Sequence, residues 1–153
     1  MVFQNSKLPI GSITVSNGKT VGFSGQDKIY IGRKNKTYKV NESILHNPFV
    51  IGKDGNREEC LAKFRKYLWE KYKERGDVYK ELIRLVNILI LEKKDINLVC
   101  WCFPEECHGN VIKKCLEWII KEELNKVFYI AIVGSRHFEN YEFLKNPYNK
   151  SRS

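Results

Sequence analysis

The stretch Asn97-Leu98-Val99-Cys100-Trp101-Cys102-Phe103-Pro104-Glu105-Glu106-Cys107-His108 decides the fold. Its first six residues are short and apolar, which predicts a buried strand. Phe103-Pro104-Glu105-Glu106 reads as a turn. A helix is expected to begin between Cys107 and Gly109, because Ile112, Cys115, Leu116, Ile119 and Ile120 then fall on one face at helical spacing. A strand that feeds a helix through a short turn is the building unit of an α/β protein with a parallel sheet.

Working toward the N-terminus, Gly76-Asp77 breaks one helix and opens another, whose apolar stripe is Val78, Leu82, Leu85 and Leu89. The helix before it starts after Asn56, with Glu59 at the capping-box spacing and Leu61, Phe64 and Leu68 on one face. Pro48, Gly52 and Gly55 argue for a loop around Asn47-Pro48-Phe49. Lys28-Ile29-Tyr30-Ile31 is a short strand that stops at Gly32-Arg33. Ser12-Ile13-Thr14-Val15-Ser16 alternates before Asn17-Gly18, which predicts an N-terminal β-hairpin or an ordered arm. Toward the C-terminus, Val127 to Val133 reads as a further strand running into Gly134-Ser135-Arg136, with room for one short helix from His137 to Lys145.

The expected architecture is α/β: a small Rossmann-like three-layer domain with a mostly parallel sheet. Its parts are an N-terminal hairpin or arm over 1–27, a core over 28–124 and a terminal strand and turn over 127–145. A loose tail follows over 146–153. A chain of 153 residues with 42% hydrophobic and 29% charged side chains is the size and composition of one globular domain. No apolar run approaches the ~20 residues of a membrane span, and Met1-Val2-Phe3-Gln4-Asn5 lacks the basic start of a secretory signal. A cytoplasmic protein without a membrane partner is expected.

The net charge is +9. It belongs to the first two-thirds of the chain, because residues 95–153 hold 8 basic and 8 acidic side chains. Such a field favours anionic partners: a nucleotide or other anionic small molecule, or nucleic acid. Solubility alone is the plainer explanation. The five cysteines are an odd number in a chain without a signal, so reduced thiols rather than a disulfide framework are expected.

Four of those cysteines fall within sixteen positions. Cys100 and Cys102 leave the same face of the predicted strand, and Cys107 and His108 come after a short turn. Cys100, Cys102, Cys107 and His108 would make a Cys3His set for zinc, although the Cys-x-Cys bite differs from the usual C-x2-C knuckle. Alternatively Cys107, at a helix start where the dipole favours a thiolate, is a nucleophile, and His108 beside it shares a proton with a substrate. In the third alternative Cys100, Cys102 and Cys115 are small core residues. Gly32-Arg33 ends a strand, so Arg33 is expected at the carboxyl edge of the sheet, where ligands of open α/β sheets bind. An arginine there grips a phosphate or carboxylate with two hydrogen bonds. Asn47, held extended before a proline, reads as a base-contacting amide or as a turn residue.

Tyr30-Ile31-Gly32-Arg33, Asn47-Pro48-Phe49, Gly55-Asn56-Arg57-Glu58-Glu59 and Cys100-Trp101-Cys102-Phe103-Pro104 with Cys107-His108 stand in this order. Together they resemble the family called domain of unknown function 4326, found in bacteria and their phages, over roughly residues 28–120. The loop from Lys34 to His46 is shorter than is usual in that family. Ile130 to Tyr141, with Gly134-Ser135-Arg136, is similar to the opening of LOG-like (SLOG) Rossmannoid nucleotide-binding domains, in which that turn contacts the nucleotide.

Three functions compete. The first is binding of a nucleotide or nucleotide-derived small molecule at the carboxyl edge of the sheet, in phage–host conflict or nucleotide signalling. Gly32, Arg33, Asn47, Arg57, Cys102, Cys107 and His108 are its candidate ligand-binding residues. The second is a thiol or zinc enzyme acting on a nucleotide or nucleic-acid base, with Cys107 and His108 catalytic. The third is direct nucleic-acid binding by the basic helices between Arg57 and Lys94.

Overall fold

The structure is a computed structural model that describes residues 10–132, with side chains described through residue 126. Its elements are β1 (Ile13–Asn17), α1 (Gly18–Val21), β2 (Lys28–Tyr30), α2 (Arg57–Glu74), α3 (Asp77–Ile90), β3 (Ile96–Cys100) and α4 (His108–Ile132). The three strands form one parallel sheet in the order β1-β3-β2, with Ile13 opposite Ile96 and Ile29 opposite Leu98. This is a small α/β domain, as the strand–turn–helix reading predicts.

Alternation along the strands divides the sheet into two faces. Ile13, Val15, Ile29, Ile96, Leu98 and Cys100 join the hydrophobic core. Against them pack α4 and α3, and α2 lies across both. Phe64, Leu68, Leu82, Leu85, Leu89, Ile112, Leu116 and Ile119 fill the space between and are fully buried. Tyr30, next to Ile29, belongs to the opposite face. There it meets Phe23, which also packs on Tyr38 and Trp101, so an aromatic layer from the loops covers that side.

The capping box is present as expected. The Asn56 side chain accepts from Glu59 N at 2.8 Å and the Glu59 carboxylate accepts from Asn56 N at 2.9 Å. Gly76 stands at the start of α3.

Two expectations fail. The segment before Asn17-Gly18 is not half of a hairpin: β1 pairs in parallel with β3, and Asn17 caps the short helix α1 by accepting from Lys19 N at 2.8 Å. Nor is Val127 the start of a strand, because α4 continues without a break to Ile132. A continuous apolar run fits a buried helix as well as a strand. The six residues before it, Lys121-Glu122-Glu123-Leu124-Asn125-Lys126, hold no Gly or Pro to stop the preceding helix. Gly134-Ser135-Arg136 and the tail lie outside the described residues. No helix among those described is long and apolar enough to cross a membrane.

Candidate functional site

Three parallel strands end at one edge, and there the chain leaving each strand is tied to its neighbours. Asn17, at the end of β1, donates from Nδ2 to the carbonyls of Trp101 and Phe103, both at 2.9 Å. Trp101 Nε1 donates to Tyr30 Oη at 2.7 Å, and Tyr30 Oη donates to the Arg33 carbonyl at 2.5 Å. Gly32 is required by that turn: a Cβ there would stand 2.5 Å from Tyr30 Oη. The connection after β2 is thus hooked to the connection after β3.

Between these connections and the start of α2 lies a cavity of about 340 Å³. Gly32, Arg33, Asn47, Arg57, Cys102, Cys107 and His108, the residues singled out by sequence, all line it. The sequence reading missed its apolar wall, made of Phe49, Val50, Ile51, Leu61 and Trp101. Phe49-Val50-Ile51, an apolar triplet in a stretch read as loop, was the available signal, and Ile51 is half exposed.

The side chains divide into those that hold the walls and those left for chemistry. Arg33 holds a wall: its guanidinium donates to the carbonyls of Asn47 and Phe49. Asn47 makes a turn, its Oδ1 accepting from Phe49 N at 2.9 Å. His108 is buried, edge-on to Phe64, and its Nε2 donates to the Ile31 carbonyl at 2.5 Å. A carbonyl only accepts, so the proton sits on Nε2. Burial lowers the His108 pKa to about 4, and the nearby Arg33 and His46 push in the same direction. His108 is therefore a neutral imidazole pinning α4 to the end of β2, and not the ready proton donor expected beside Cys107.

Cys107 caps α4. Its sulfur accepts from Gly109 N at 3.3 Å, and its own N–H donates to Asn110 Oδ1 at 2.9 Å. Gly109 is closely packed: a Cβ would lie 3.0 Å from Val15 Cγ1 and 3.1 Å from Ile31 Cδ1. The Cys107 and Cys100 sulfurs are 3.1 Å apart, and Cys107 is also hydrogen-bonded to Cys102. These contacts set the protons. The hydrogen bonds to Cys100 and Cys102, together with burial, raise the Cys107 pKa, so Cys107 keeps its proton. The same hydrogen bond lowers Cys102 to about 6, helped by the Arg57 guanidinium beside it and opposed by burial and Glu105. The Cys107 hydrogen bond also lowers Cys100, to about 7. A second charge in so small a cluster is disfavoured, so one proton leaves near neutrality. Cys102, the partly exposed member next to a cation, is where the charged form is most favoured. Two neighbouring sulfurs and burial thus push the Cys107 pKa up, against the helix dipole expected to favour its thiolate.

Arg57, the first residue of α2, faces Cys102 and crosses to the β3–α4 connection. It donates to the Glu106 carbonyl at 3.1 Å and to the Glu105 carboxylate at 2.7 Å. The alternative Cys3His zinc set is not assembled. His108 Nε2 is turned to Ile31, and among the described residues no three His, Cys, Asp or Glu groups are placed to hold a metal.

Residues 15–118 match the sequence profile of the family described as "Domain of unknown function (DUF4326)", and the chain belongs to that family. A Lon protease of Campylobacter concisus (strain 13826) is 29% identical over 92 residues, which are 60% of this chain and 10% of that protein. The chain therefore spans about a tenth of that curated relative. No solved structure matches.

Proposed function

We propose that this member of the family binds a nucleotide or nucleotide-derived small molecule in the cavity at the carboxyl edge of the sheet, to sense or sequester a signalling nucleotide. One observation carries the reading: a single cavity of about 340 Å³ joins an apolar wall, with Trp101 in it, to the guanidinium group of Arg57, with Arg33 holding the wall beside it. The apolar wall suits a flat base and the Arg57 guanidinium suits a phosphate. The volume falls at the lower end of ligand pockets, roughly 300–1,000 Å³, which favours a mononucleotide over a dinucleotide. Glu105 is a built-in competitor, because a phosphate reaching Arg57 has to displace its carboxylate.

Calorimetric titration with nucleoside mono-, di- and triphosphates tests the proposal. At least one should bind, and Arg57→Gln should weaken it about tenfold, or ~1.4 kcal/mol. No heat from any nucleotide, with an oligonucleotide bound instead and its affinity falling steeply with salt, would replace the reading by nucleic-acid binding.

A thiol-dependent enzyme acting on a nucleotide or base is the second reading. The acidic Cys102 thiol in the cavity wall favours it. It requires Cys102 rather than Cys107 as nucleophile, and it predicts that Cys102→Ala retains ligand without turnover. The name of the Lon protease relative adds nothing to either reading, since the shared segment is a tenth of that protein.

A further inference from the structure

Cys102 is half-buried in the cavity wall beside Arg57, while Cys107 stands behind it and is fully buried. Cys107 is hydrogen-bonded to Cys102 on one side and to Cys100 on the other, with 3.1 Å between the Cys100 and Cys107 sulfurs. An accessible sulfur next to a guanidinium, with a protonated thiol touching it from within, is the arrangement of an oxidisable thiol and its resolving partner. The other cysteines lack it. Cys60 is buried with its sulfur directed to the Gly55 carbonyl, and Cys115 stands in a separate groove with Trp69 and Trp118.

We propose that Cys102 and Cys107 form a peroxide-sensitive thiol pair, in which Cys102 is oxidised first and Cys107 resolves it to a Cys102–Cys107 disulfide. The Cys102 thiolate attacks one oxygen of hydrogen peroxide. The O–O bond breaks, hydroxide leaves and takes a proton from solvent, and Cys102 becomes a sulfenic acid. The Cys107 sulfur then attacks the Cys102 sulfur. The S–S bond forms, the S–O bond breaks, and the departing hydroxide carries off the Cys107 proton as a second water. Two thiol sulfurs are oxidised by two electrons in all, and one peroxide is reduced to water. The charged and titratable groups facing Cys102 are Arg57 from α2, Glu105 and Cys107 from the β3–α4 connection, and Cys100 from β3. The Cys107 hydrogen bond first, and the Arg57 guanidinium beside it, favour the anionic form of the attacking sulfur. The oxidation does not depend on which ligand the cavity takes.

Peroxide treatment of the reduced full chain, followed by alkylation and mass mapping, decides the matter. A protease specific for Glu cuts after Glu105 and Glu106 and so separates Cys102 from Cys107. The expected product is a linked pair of fragments carrying these two cysteines, returned to free thiols by dithiothreitol. In Cys107→Ser the reaction should stop at a Cys102 sulfenic acid that a dimedone-type reagent traps. In Cys102→Ser peroxide consumption should fall at least tenfold. The native rate should rise with pH about a midpoint near 6 and be nearly level above neutrality. Two results would overturn the assignment: a Cys100–Cys107 bridge that forms as fast in Cys102→Ser as in the native chain, or a Cys102 that stays fully alkylatable under peroxide that oxidises Cys60 and Cys115. The native chain alone supplies the second result, so the test survives a variant that does not fold.

Discussion

Replacing His108 by Gln turns the buried imidazole into a measurable loss of pH dependence. Gln keeps an N–H donor for the Ile31 carbonyl but cannot take up a proton. The folded chain holds His108 at about 4, while an unfolded chain leaves it near 6.5. Because the folded pKa is depressed, the unfolded state binds the proton more readily. The stability contributed by the neutral imidazole is complete above about pH 7 and is lost as pH falls from about 6.5 toward 4. Below both values the loss is about 3 kcal/mol, and by pH 5 it has reached about 2 kcal/mol. That is a large share of the 5–15 kcal/mol typical of a domain. Urea unfolding followed by circular dichroism at pH 7.5 and pH 5 gives the loss for each protein. Carboxylates and the thiol cluster change charge in the same window, but they are common to both, so the difference isolates His108. The native chain should lose about 2 kcal/mol more than His108→Gln between the two pH values. An equal loss in both proteins would refute the account of a buried neutral imidazole.

The remaining predictions concern neighbouring contacts. Asn56→Ala removes the side-chain half of the α2 capping box and should lower unfolding stability by about 1 kcal/mol, read from the urea midpoint at unchanged slope. Gly109→Ala pushes a methyl against Val15 and Ile31; it should cost on the order of 1–3 kcal/mol, whereas a chain as stable as the native one would show that α4 shifts freely. Arg57→Gln removes the cation beside Cys102, so the Cys102 pKa should rise and alkylation of that thiol at neutral pH should slow severalfold, with Cys115 as the internal reference. An unchanged Cys102 rate would mean that the sulfur cluster alone sets its acidity.

What the sequence made legible is what depends on neighbours in the chain. The Asn56–Glu59 box, the break at Gly76 and the apolar stripes of α2 and α3 are local patterns, and each element appears where its pattern places it. Partners distant in sequence were not legible. The alternation at Ser12 to Ser16 marks a strand but does not name its partner, and β1 pairs with β3, Ile13 opposite Ile96. The apolar run from Val127 shows no period that separates strand from helix. At the site, the cysteine spacing located the cluster at a strand end, and the proton order within it was hidden. That order arises from three sulfurs and Arg57 meeting in space, and the spacing 100, 102, 107 is silent on which sulfur touches the cation. The spacing also does not show that Arg33 Nη2 and Asn47 Oδ1 shape the wall, Asn47 in the turn that was one of its two readings.

The order β1-β3-β2 also bears on how the chain comes together as it is made. β1 and β2 emerge first from the ribosome and do not pair with each other; each pairs with β3, the last strand among the described residues. Until Ile96 to Cys100 is available, both must wait with unpaired edges, while α2 and α3 can already coil and pack. Sheet closure then brings together residues more than eighty positions apart along β1. Such late, non-local pairing slows folding and leaves nascent strands open to wrong partners. The cavity, which needs the connections after β2 and β3 together, is accordingly among the last parts of the described fold to form.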